Sequence, residues 1–196
     1  MPEGARPLFF YDLGDPESYL AAERVDRLLP EPAEWVPVDA VGLAEPAALL
    51  DREEIEAIAA ERGMQPLRWP TPWPAQSRRA LLAATYAKGA GRATAFSLAA
   101  FRQAFAGGRD LADDDTLVLA GAACELHPRA LLPALERQSL AAALDRATAR
   151  AAAGGVRRVP AVQAAGTVFH GDGGIDAAAA AIGADAGGKP GGSARA

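Results

Sequence analysis

Leu8-Phe9-Phe10-Tyr11-Asp12-Leu13-Gly14-Asp15-Pro16-Glu17-Ser18-Tyr19-Leu20-Ala21 carries two kinds of local order in succession. The apolar and aromatic run Leu8–Tyr11 is short and unbroken, which predicts a buried strand. Asp12-Leu13-Gly14-Asp15-Pro16 breaks it. From about Glu17 to Leu29 the apolar residues Tyr19, Leu20, Ala22, Val25, Leu28 and Leu29 recur at helical spacing, and Pro30-Glu31-Pro32 stops the pattern. Trp35-Val36-Pro37-Val38 then predicts a second strand, with Pro37 placing it at a sheet edge or ending it early.

From about Glu45 to Gly154 every periodic segment is helical. The spacing predicts helices over 45–62, 76–90, 92–107, 113–126, 128–137 and 138–153, separated by Gly and Pro signals. Between the first two, Gln65–Pro74 holds too many prolines for a helix or an inner strand. Strand chemistry returns at Val159–Gln163 and Thr167–His170, joined by Ala164-Ala165-Gly166 as an antiparallel hairpin. A last helix is expected over 174–182, and a flexible tail over 185–196.

This order predicts an α/β fold with a small mixed sheet, flanked by helices and interrupted by a large all-helical insertion. The expected division is 7–42 with 155–184 as one discontinuous domain, and 43–154 as a helical subdomain.

The composition narrows the function. Half of the 196 residues are hydrophobic but only 6% are aromatic, which predicts a core built mostly of Leu, Ala, Val and Ile. The formal charge is −5, and the only basic clusters are the pairs Arg78-Arg79 and Arg157-Arg158, read as ordinary surface. No nucleic-acid partner is expected from such a chain. One cysteine, Cys124, excludes an internal disulfide and argues against a cysteine-based metal site. No nucleotide motif appears. No signal-like start and no membrane-length apolar run is seen, so a cytoplasmic location and no membrane partner are expected.

The opening segment resembles the start of the 2-hydroxychromene-2-carboxylate isomerases and kappa-class glutathione transferases, in the DsbA-like branch of the thioredoxin superfamily. Their pattern there is an aromatic strand, an Asp, then Ser-Pro-Tyr-Ser-Tyr-Leu. Three further stretches are similar in the same order: Arg68-Trp69-Pro70 through Trp73-Pro74-Ala75-Gln76-Ser77; Gly107-Gly108-Arg109-Asp110-Leu111; and Gly155-Val156-Arg157-Arg158-Val159-Pro160 with Phe169-His170-Gly171-Asp172. The likeness runs from about residue 7 to 183. It implies a thioredoxin-like fold, a small-molecule or peptide-like ligand, glutathione as cofactor and a homodimer as one assembly.

In that branch the chemistry sits where the first strand turns into the first helix. Backbone N–H groups and the helix macrodipole stabilise negative charge there. Dithiol members carry Cys-x-x-Cys at this corner; glutathione-using members carry a Ser that hydrogen-bonds the bound thiolate. The four positions here are Asp15-Pro16-Glu17-Ser18, so dithiol exchange has no nucleophile. The resemblance makes Asp15 and Ser18 the candidate catalytic residues. An ionised Asp15 repels a thiolate, by roughly 4 kcal/mol at ~4 Å in a dielectric of about 20, against ~2 kcal/mol at best from a helix terminus. Asp15 also reads simply as an N-cap with Pro16 in the first helical position.

The resemblance further implies that Val159-Pro160 is a cis-proline facing the corner and pairing its backbone with a ligand. Gln76, standing where the family has Asn, His170 in place of a bulky aromatic, and Asp172 one position before the family's Asp are the other candidate binding residues. Each has a plain alternative: a helix-start surface residue, a half-buried strand-end histidine, a turn. Trp69, Trp73 and Tyr19 are read equally as cleft or as core, and Cys124 as a small buried hydrophobe. Three functions stay open: a glutathione-dependent isomerase or transferase, an enzyme using Asp15 as general base without a thiol, and a non-catalytic binding protein.

Overall fold

The computed structural model describes residues 6–45 and 51–187. The elements run β1 (Leu8–Tyr11), α1 (Pro16–Ala22), α2 (Val25–Leu28), β2 (Glu34–Pro37), α3 (Arg52–Glu61), α4 (Arg78–Gly89), α5 (Ala93–Phe105), α6 (Asp114–Ala122), α7 (Pro128–Leu135), α8 (Gln138–Ala153), β3 (Ala161–Ala164), β4 (Thr167–His170) and α9 (Gly174–Gly187). The four strands form one mixed sheet in the order β2-β1-β3-β4, parallel between β1 and β2 and antiparallel elsewhere. This is the thioredoxin-like arrangement that the element order implies, with six α-helices among the described residues lying between β2 and β3 in sequence. β2 is an edge strand and ends at Pro37, whose missing N–H and fixed φ are tolerated there.

The single helix expected over 17–29 is two. α1 closes at Glu23, and Arg24 leaves helical geometry (φ −129°) before α2 begins. The break carries the Arg24 guanidinium over to Asp172 and Asp176. The helix expected over 45–62 is described from Arg52; residues 46–50 lie outside the described residues. α9 continues past 182 to Gly187, and the remainder of the expected tail, from 188 on, also lies outside them. The hairpin turn is Ala165-Gly166, both with positive φ (47° and 74°), the two-residue form whose twist suits the flanking strands.

Leu, Ala, Val and Ile make up most of the buried hydrophobic residues, as expected, but eight of the twelve aromatic residues are buried too, seven of them together in the main cluster. Alternation along β1 sends Phe9 and Tyr11 to one face of the sheet and Phe10 to the other. On the first face Phe9 and Tyr11 meet Trp35 at 5.0 and 5.5 Å, and Tyr11 meets Phe101 of α5 at 5.8 Å. Tyr19 of α1 stacks on Phe105 at 5.5 Å. The Tyr11 hydroxyl is satisfied by Ser97 Oγ at 2.6 Å. A smaller cluster under the second face joins Phe10, Val38, Ala151, Val156, Val159 and Ala161. Scarce aromatics thus couple the sheet to the inserted helices, each burying a large area and adding a directional contact.

Phe101→Ala should lower the unfolding free energy by about 3–5 kcal/mol, the range for emptying a fully buried aromatic site. Urea unfolding followed by circular dichroism checks it.

Candidate functional site

β1 ends at Tyr11 and the chain turns through Asp12–Asp15 into α1. Asp12 fixes the turn: its Oδ1 accepts the Gly14 N–H at 2.8 Å and its Oδ2 the Ala40 N–H at 2.9 Å. Burial pushes its carboxyl above the ordinary range, opposed by Ser77 and by these two N–H groups. Gly14 is required by close approach, because a Cβ there would stand 3.0 Å from both the Ala75 carbonyl oxygen and Ser77 Cβ. The segment leading into α4 therefore lies directly on the corner.

Asp15 is the N-cap of α1, with Pro16 following it. Its Oδ2 accepts the Ser18 N–H at 2.8 Å and the Ser18 hydroxyl at 2.5 Å. Its Oδ1 is buried and has no hydrogen-bond partner. Burial, aided by the nearby Glu17 and Asp12 charges, pushes the Asp15 carboxyl up to about 7 against the pull of Ser18. With both donors on Oδ2, the proton of the neutral acid belongs on Oδ1. The repulsion foreseen from a permanent carboxylate is therefore reduced: near neutral pH this group is an acid about as often as an anion.

Glu17, buried, faces the hairpin. Its Oε1 accepts the Asp172 N–H at 2.8 Å, and its Oε2 lies 3.3 Å from Arg158 Nη1. Gly171 (φ 78°) sits between them; a Cβ would come within 3.0 Å of Glu17 Oε1 and 3.1 Å of Arg158 Nη2. The Gly171 N–H donates to the Pro160 carbonyl at 2.8 Å. The Val159–Pro160 bond is cis. Phe10 pairs with Ala161, so Pro160 stands across from the end of β1, where the corner begins.

The candidate residues divide accordingly. Asp15, Ser18, Pro160 and Asp172 converge on the corner. Asp172 is held there by Arg62, with Nη1 3.0 Å from Oδ1, and by Arg24 at 3.4 Å. The Val159 side chain is buried in the second-face cluster. His170 lies on that second face with Val168, and its Nε2 accepts the Arg157 N–H at 3.0 Å. Burial and the neighbouring Arg157 and Arg158 charges lower its pKa, keeping it a neutral acceptor. Gln76 is exposed; its neighbours Ala75 and Ser77 make the contacts at the corner instead. Trp69 and Trp73 pack edge to face at 4.7 Å against the core, with the Arg52 guanidinium 4.9 and 5.2 Å from their rings. Cys124 is buried against the Ala120 and Gly121 carbonyls, and burial raises its thiol pKa.

Reading the sequence misses Glu17, Arg158, Arg62, Arg24 and Ser77. Arg158 is not ordinary surface, although it belongs to a basic pair that looks like it. Its place immediately before Val159-Pro160 is the one signal that could have singled it out. Among the described residues, no group of three or more His, Cys, Asp or Glu is placed to hold a metal ion, and no helix is long and apolar enough to cross a membrane.

The sequence matches the DSBA-like thioredoxin domain over residues 8–183. The chain belongs to that family. No curated protein matches this DSBA-like chain. Among solved structures, a 2-hydroxychromene-2-carboxylate isomerase superposes with a TM-score of 0.78 at 18% identity, covering 92% of this chain and 95% of that one. A probable DsbA oxidoreductase from Streptomyces coelicolor gives 0.74 at 19% identity, covering 94% and 91%. The cytosolic disulfide reductase DsbM from Pseudomonas aeruginosa gives 0.61 at 15%, covering 84% and 87%. At these identities the likeness is one of fold.

Glutathione, the cofactor implied by the resemblance, would meet a carboxyl at Asp15 where that branch has a hydroxyl, and only the protonated acid could donate to its thiolate. The Asp172 carboxylate is taken up by Arg62 and Arg24, and its N–H by Glu17.

The Asp15 proton makes stability depend on pH. The carboxyl titrates near 3.8 when unfolded and near 7 when folded, so its contribution is fully present below about pH 4. It falls as pH rises from about 4 through 7, by at most about 4 kcal/mol for a carboxyl raised from 3.8 to about 7. Asp15→Asn should remove that loss, so the stability difference between variant and parent should move in the variant's favour from pH 4 to pH 8. Urea titrations at both pH values measure it.

Proposed function

We propose that this DSBA-like protein is a thiol-independent enzyme of the isomerase type, in which Asp15 moves a proton on a small-molecule or peptide-like ligand bound at the corner beside Pro160. The supporting observation is the split environment of one buried carboxyl: Oδ2 anchored by both donors of Ser18, Oδ1 without a partner. A general acid–base group works best when its pKa lies near the working pH, and burial brings Asp15 to about 7. In the neutral form Oδ1 delivers its proton to an oxygen or carbon that gains negative charge. The carboxylate left behind is stabilised by the Ser18 N–H and hydroxyl. It then takes a proton from a second position of the same molecule, so the ligand is isomerised and the enzyme restored. Because Oδ1 is buried, a reacting atom reaches it only by replacing the protein atoms now against it, which also excludes water.

Ser18 acts as a positioning residue: it selects which carboxyl oxygen is free. Both oxygens of Glu17 are engaged, by Arg158 and the Asp172 N–H, which leaves Asp15 as the acid available for transfer.

The test is proton exchange at carbon in a panel of small unsaturated and aromatic acids, followed by NMR in deuterated water. Asp15→Asn should lower the rate at least about a hundredfold, the low end for loss of a general acid–base group. Ser18→Ala should shift the pH–rate midpoint away from 7. Unchanged exchange in Asp15→Asn, or saturable binding of glutathione by calorimetry that is required for turnover, would overturn the proposal.

A further inference from the structure

A concavity opens at the other end of β1, beyond the N-terminal side of the sheet and away from the corner. It has a volume of about 520 Å³, within the range of small-molecule sites. Three cations from separate parts of the chain face it: Arg6 before β1, Lys88 near the end of α4 and Arg92 in the turn into α5. One carboxylate, Glu34, lies among them. The cleft thus carries an excess of two positive charges in a chain whose net charge is −5.

The partners these cations now have are exchangeable. Lys88 Nζ pairs with Glu34, whose side chain is 50% exposed, and touches the Trp35 carbonyl at 3.1 Å. Arg92 reaches Glu125 at 3.1 Å, and that carboxylate is 83% exposed. Exposed pairs of this kind contribute little, so an anion with several oxygens can displace them at small cost. The lining also includes Ala93, Thr94 and Ala95, which open α5 without a side-chain cap from Arg92. The turn at Gly91 (φ 71°) leaves open space on its Cβ side.

We infer that this cleft binds a small phosphorylated molecule. Its phosphate group bridges Arg6, Lys88 and Arg92, and its organic part occupies the remaining volume beside Ala33 and Glu34. A doubly charged group with three free oxygens matches three cationic side chains better than a single carboxylate does. The site is independent of the chemistry at Asp15.

Inorganic phosphate titrated into the ¹⁵N-labelled full chain at constant ionic strength tests this. The expected result is saturable shifts of the Gly91–Ala95 amides, with the Asp15–Ser18 amides unmoved. Arg6→Gln combined with Arg92→Gln should weaken binding at least about tenfold, as for removal of charge-assisted contacts. Thr94→Glu, which places a carboxylate in the cleft and at a favourable helix start, should abolish phosphate binding while leaving the fold at least as stable. No saturable shift at millimolar phosphate, binding unchanged in the variants, or succinate binding as tightly as phosphate would overturn the inference.

Discussion

The pairing of Phe10 with Ala161, two residues 151 positions apart, is the constraint on which the rest of this molecule depends. It closes the chain on itself, with β2 and eight of the described α-helices between the two strands, and such closure becomes only slowly more costly with loop length. Once β1 and β3 lie side by side, Pro160 stands beside the turn into α1. The hairpin then delivers Gly171 and Asp172 to the same place. The Glu17 contact to the Asp172 N–H spans a similar separation and follows from the same pairing. Neither end of the sequence holds the corner by itself; the ladder between them assembles it.

Much of this architecture is legible in the residues. Leu8–Tyr11, Thr167–His170 and the six helices between β2 and β3 announce themselves by apolar period and by Gly and Pro punctuation, because each buries one face against a common core. The edge position of β2 follows from Pro37. What escapes is set by tertiary contacts. The break at Arg24 has no local breaker; it accompanies a guanidinium drawn to Asp172. The aromatic centre of the core escapes because composition counts residues, not where they gather. Of the corner, Asp15, Ser18, Pro160 and Asp172 are recoverable from the order of motifs. Glu17, Arg62 and Arg158 are not, since an ion pair between distant positions leaves no trace in either neighbourhood.

Charge is arranged at the corner with a clear division. Asp12, Asp15 and Glu17 crowd into six positions and all are buried. Glu17 is balanced by a guanidinium and a backbone donor, and Asp12 by backbone donors from two directions. Asp15 alone keeps one oxygen without a partner. Burying an ion without compensation is expensive, so the group responds by holding its proton. The same residue therefore starts the helix and stores an acid.

The buried Cys124 completes the contrast with the oxidoreductases that share this fold. It is the only sulfhydryl in the chain, shielded from solvent and biased toward the protonated form. With no second cysteine to pair with it, it cannot close an internal disulfide. The group poised to change charge near neutrality is instead the carboxyl of Asp15, which burial raises to about 7.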